Sequence, residues 1–138
     1  RWMPWVTYTD PEVAHFGPTE DEARAKNVAC DVFRYDWAEL DRAVTDSETE
    51  GFIKVLTSRG KDTILGATVV GAHAGEVMHE VLVAAKHGIG LSKLSATVHA
   101  YPTYSSSVQR VADSFQKTRL TPRVAGLFRW LYRKRRGG

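Results

Sequence analysis

The sequence predicts an α+β fold: a mainly antiparallel sheet of four to five strands with helices packed on one face. Two observations carry this. Hydrophobic residues recur with strand spacing up to residue 71 and with helical spacing from residue 75 onward, so strands precede helices instead of alternating with them. Two of the strand-like runs are also joined by the short polar turn RGKD, which fixes an antiparallel pair. At 138 residues the chain is the size of one domain with a single core.

WVTYT, residues 5–9, is β-branched and aromatic and reads as a first strand, stopped by Asp10-Pro11. GPTEDEARAKN then has the grammar of a surface helix, with Thr19 as cap, Glu22 three residues on as in a capping box, and Asn27 closing the segment. Residues 30–37, CDVFRYDW, alternate as a half-buried strand, with Val32 on the face opposite Phe33, Tyr35 and Trp37. GFIKVLTS (51–58) and TILGATVVG (63–71) flank the RGKD turn, bringing the strands identified along the chain to four. Between Gly75 and Gly88, Val77, Met78, Val81, Leu82 and Ala85 form one stripe on a core helix. A short helix capped by Ser92 is expected over 91–97, and a longer one over 105–118 with Val108, Val111, Ala112 and Phe115 inward.

Charge divides the chain. Residues 119–138 hold seven Lys or Arg and no acid, which leaves twelve basic and sixteen acidic residues in 1–118. The basic balance therefore belongs to the tail, and no nucleic-acid partner is expected of the main body. In the tail, Leu120, Val124, Leu127, Phe128 and Leu131 keep helical spacing with arginines between them. Two readings stand for residues 119–136: a helix docked on its own domain or a subunit partner, or a weak contact with an anionic membrane surface. The corresponding locations are cytoplasmic and membrane-peripheral. No apolar run approaches the ~20 residues of a membrane-spanning helix. The opening RWMPW lacks an initiator methionine and the pattern of a secretory signal, and reads as a cut inside a longer protein.

Cys30 is the single cysteine, so an intrachain disulfide, a CxxC redox centre and a cysteine-based zinc site are excluded. Neither GxGxxG nor GxxxxGK[ST] occurs, so the chain has no visible nucleotide site of its own. Glu76 and His79 have the ExxH spacing of a helical metal ligand pair, but a di-iron site needs a second such helix, and no metal site is expected. A triad of Ser105, His99 and Asp113 lacks a GxSxG elbow and an oxyanion loop. The richest stretch is TVHAYPTYSS, residues 97–106, where His99, Tyr101 and a run of hydroxyls surround Pro102.

PWVTYTDPEVAHFGPTEDEAR (4–24), GFIKVL, and ILGATVVGAHAGEVMHEVLVAAKHGIGLSKLSATVHAYPTYSSSVQRVA (64–112) together resemble the C-terminal dimerisation domain of the FAD-dependent pyridine nucleotide-disulfide oxidoreductases, the family of glutathione reductase, dihydrolipoamide dehydrogenase and mercuric reductase. The resemblance covers about residues 4–118, so 1–118 is taken as the domain and 119–138 as an appended basic helix and tail. It implies a sheet that pairs two subunits of a homodimer, with FAD and NAD(P) bound in N-terminal domains absent here and none bound by this fragment alone. The fragment alone is then expected to be inactive. The resemblance also implies a segment that completes the partner's flavin and disulfide site in trans. In the family that segment reads His-Pro-Thr with a Glu three residues later, an acid-base pair. Here Pro102 and Thr103 match, while Tyr101 stands at the histidine position and Ser106 at the glutamate position. The sites so implied are Tyr101, Pro102 and Thr103 toward the partner's flavin, with His99 and Tyr101 as catalytic candidates. His99, two residues upstream, either takes over the proton or serves as a turn residue. The Tyr101-Pro102 bond is expected to be cis, as its family counterpart is.

Overall fold

The computed structural model describes residues 2–119. Strands β1 (Trp5–Thr7), β2 (Val13–Phe16), β3 (Cys30–Asp36), β4 (Phe52–Ser58) and β5 (Ile64–Val70) form one antiparallel sheet in the order β1-β2-β5-β4-β3. Helices α1 (Glu20–Ala25) and α2 (Asp41–Asp46) lie between strands, and α3 (Ala74–Lys86), α4 (Leu91–Ser95) and α5 (Ser106–Arg119) follow the last one.

The expected α+β architecture is borne out, with two elements that the chain pattern conceals. The first strand is shorter than expected, and beyond a turn in which Thr9 Oγ1 donates to the Pro11 carbonyl a further strand, β2, enters the sheet. Its four residues do not alternate in polarity, because both of its faces are covered. Ala14 and Phe16 are fully buried in the core, while His15, on the other face, stacks with Trp5. The His15 ring is satisfied there by the Thr68 hydroxyl and the Gly17 carbonyl, each at 2.8 Å. Trp37 lies outside β3, in a 3-10 turn over Trp37–Glu39 that leads into α2. Its ring fills the space over Gly71, where a Cβ would meet the indole at 2.1 Å.

Of the other expectations of local chemistry, the α1 cap and the β4–β5 turn hold, and the α4 cap does not. The capping box of α1 is present, with Glu22 N–H on Thr19 Oγ1 at 3.2 Å and Thr19 N–H on Glu22 Oε2 at 2.9 Å, and Asn27 follows with a left-handed φ of 52°. β4 and β5 are joined by the predicted turn, in which Gly60 has φ 70°. Ser92 is not the cap of α4. Gly90 takes that place because the Asp62 carboxyl occupies the volume a side chain would need, 2.4 Å from a Cβ, and the Asp62 carbonyl accepts the Leu91 N–H.

The helical layer is built by α3 and α5 on one face of the sheet. Val77, Met78, Val81, Val108, Val111 and Ala112 from the helices meet Phe16, Ile53, Val55, Ala67 and Val69 from the strands. Phe33 and Phe115 meet edge to face at 5.5 Å. Each buried Val, Ile, Met or Phe among them contributes about 1.5–3 kcal/mol relative to exposure, and each Ala less. This packing fixes the two ends of the segment between α4 and α5, which carries TVHAYPTYSS.

Candidate functional site

Residues 96–105 run from α4 to α5 as a series of turns. The expected cis bond at Tyr101-Pro102 is present, and a second one occurs at Asp10-Pro11. Thr103 organises the exit: its hydroxyl donates to the Ala100 carbonyl at 2.7 Å and accepts the Ser106 N–H at 3.3 Å, opening α5. Tyr101 stands on the outside of the turn, 69% exposed, and its hydroxyl donates to Asp41 Oδ2 on α2 at 2.9 Å. That bond to a carboxylate raises the Tyr101 pKa above the ordinary phenol value.

Tyr101 and Ser106 border one narrow cleft with Tyr35, Asp41 and Arg110, so the structure keeps these two positions side by side. They are not bonded to each other, since the Ser106 hydroxyl donates back to the Thr103 carbonyl at 2.6 Å. Tyr104, next along, is buried against Trp37 and donates to Asp46 Oδ2 at 3.0 Å. Burial first, and then the Asp46 carboxylate, push its pKa up to about 12. The Arg42 guanidinium on the same carboxylate holds Asp46 below the usual carboxylate range. Both ends of α2 thus receive a tyrosine hydroxyl from the turn.

His99 faces the other way. Its side chain is 6% exposed, with Nε2 on Glu80 Oε1 of α3 at 2.7 Å and Nδ1 on the Thr97 carbonyl at 3.0 Å. Sequence reasoning named His99 but not Glu80, Asp41 or Asp46. Their partners lie 19 to 60 residues away, beyond the reach of any local pattern. The structure also separates the triad candidates, because Asp113 accepts from Ser95 while His99 is held by Glu80. His79 turns its Nδ1 to the Gly75 carbonyl of its own helix, and no group of three or more His, Cys, Asp or Glu suited to a metal occurs among the described residues. Among those residues no helix is long and apolar enough to cross a membrane, and the basic segment 120–138 lies outside them.

Together these features define an antiparallel α+β domain that holds an exposed aromatic turn outward on its helical layer. The family described as pyridine nucleotide-disulphide oxidoreductase, dimerisation domain, matches residues 3–112. Similar proteins include the dihydrolipoyl dehydrogenase of Buchnera aphidicola subsp. Baizongia pistaciae, 38% identical over 116 residues, and the mitochondrial dihydrolipoyl dehydrogenase of Dictyostelium discoideum, 34% identical over 116 residues. These matches cover 84% and 83% of this chain but 24% of each relative, so the chain spans about a quarter of their length. Among solved structures, LpdA from Mycobacterium tuberculosis superposes with a TM-score of 0.78 at 26% identity, covering 83% of this chain and 25% of that one. The flavoprotein disulfide reductase RclA from Escherichia coli shares the fold, with a TM-score of 0.76 at 22% identity over 80% of this chain and 26% of its own. The chain belongs to the dimerisation domains of the pyridine nucleotide-disulphide oxidoreductases, in agreement with the resemblance read from the sequence.

Proposed function

We propose that residues 1–118 pair two subunits of an FAD- and NAD(P)-dependent disulfide oxidoreductase as a cytoplasmic homodimer, and that the Tyr101 turn completes the partner subunit's flavin site in trans. The observation that carries this reading is the outward display of Tyr101 beside an unburied apolar surface. Val98 is 92% exposed in the same segment, and Val83 is 54% exposed on the outer side of α3, one turn from Glu80. A second copy laid on α3 buries both valines and brings Tyr101, Pro102 and Thr103 to the other subunit.

FAD and NAD(P) are held by domains outside this chain, and the flavin supplies the electron-transfer chemistry when bound. This domain offers it an aromatic ring and the backbone of a proline turn. Near neutral pH the Tyr101 phenol stays protonated and donates to Asp41, so it binds and orients and does not act as a base. His99, with both ring nitrogens engaged by the Thr97 carbonyl and the Glu80 carboxylate, supports the turn from within. Without the flavin-bearing domains the chain by itself is inactive.

The pairing face is tested by sedimentation of the full-length protein carrying Val83→Asp with Val98→Asp. Both residues are exposed in the single subunit, so the fold survives the change. Conversion from dimer to monomer at micromolar concentration is expected, and an unchanged dimer rules out α3 as the pairing face.

A further inference from the structure

Between α4 and α5 the chain faces outward almost throughout: residues 96–98 and 100–102 are all exposed, and His99 is the single one of these seven to turn in. Its ring meets two oxygen acceptors, the Thr97 carbonyl and the Glu80 carboxylate. Both ring nitrogens are thereby engaged, at 3.0 Å and 2.7 Å, which fixes the ring's orientation. The contact to Thr97 is local, whereas the one to Glu80 reaches α3, whose inner residues Val77, Met78 and Val81 are buried in the core. Among the described residues, Tyr101 is otherwise tied by its exposed bond to Asp41 on the six-residue helix α2.

We propose that Glu80 and His99 form a strap that positions Tyr101, with Glu80 acting on the trans site through His99. The proposal rests on the trans reading above for its functional consequence, but the strap itself is a property of one subunit. Glu80 lies on the outer side of α3, one turn from Val83. The strap therefore links the pairing face to the turn presented to the partner. Neither residue touches the reacting atoms, so both are positioning residues. Glu80→Ala removes the acceptor and leaves a buried ring with an unpaired donor, whereas Glu80→Gln keeps an amide oxygen for the Nε2–H.

The test uses the full-length, flavin-loaded homodimer with two readouts, amide hydrogen exchange over residues 96–101, where the Ala96 and Thr97 N–H groups are bonded to the Ser92 and Leu94 carbonyls, and the fluorescence lifetime of the flavin. Glu80→Ala and His99→Ala are expected to speed exchange in that segment at least tenfold while α5 keeps its protection. Glu80→Gln should stay within about threefold of the parent, and Glu76→Ala on the same helix should change nothing. The lifetime in Glu80→Ala should move at least half as far as in Tyr101→Ala. Unchanged exchange in Glu80→Ala, or equal loosening in the Gln and Ala variants, overturns the strap. A lifetime that responds to Tyr101→Ala but not to Glu80→Ala overturns its positioning role. Should Tyr101→Ala leave the lifetime unaltered, the trans reading falls and the exchange rates alone decide the strap.

Discussion

Tyr104 and Tyr101 sit three residues apart, yet one is buried and the other exposed, and their predicted behaviour follows from that difference. With a folded pKa near 12 against an ordinary 10, Tyr104 stays protonated in the fold where the unfolded chain ionises. Its contribution is fully present below pH 10 and is lost as pH rises from 10 to 12. Thermal melts across that window should show a falling midpoint, and Tyr104→Phe should flatten the fall while costing about 1 kcal/mol at neutral pH for the lost bond to Asp46. Asp46 has the opposite sign: its depressed pKa adds stability that disappears as pH falls through the acid range. Gly71 is the sharper steric case, with φ 133° and the Trp37 ring 2.1 Å from a Cβ. Gly71→Ala should cost about 3 kcal/mol, read as a lowered denaturation midpoint at unchanged slope. Tyr101 was legible in the sequence as a residue of interest, because singling it out needs only the frame of Pro102 and Thr103. That Asp41 holds its hydroxyl was not, since 60 residues separate them.

Among the elements, α1, α3 and α5 were legible because their determinants are local. The Thr19–Glu22 box and the 3.6-residue stripes are written within one or two turns. Thr19→Ala should therefore cost about 1 kcal/mol, measurable by urea denaturation, with little effect elsewhere. β2 and α2 were concealed for the converse reason. Four residues covered on both sides show no alternation, and a six-residue helix has too few turns for a stripe. What identifies each is tertiary: β2 by its pairing with β1 and β5, and α2 by Arg42–Asp46 and the tyrosines it receives. These are also the elements that support the site, since α2 anchors Tyr101 and Tyr104. Sequence reasoning found the turn itself and one of its supports, His99, while Glu80 and α2 come into view only when the chain is folded.

At the scale of the whole molecule, the domain is a rigid platform with a small outward turn, and its proposed work is done on another subunit. The helical layer supplies the rigidity, and α3 supplies both the proposed pairing surface and the Glu80 that holds His99. The most direct measurement is photo-crosslinking of the full-length protein with a benzoylphenylalanine at position 101, in homodimers mixed from isotopically heavy and light subunits. The account predicts a covalent dimer whose crosslinked peptides join residue 101 of one subunit to a segment outside these 138 residues in the other. Crosslinks confined to the same subunit would contradict it.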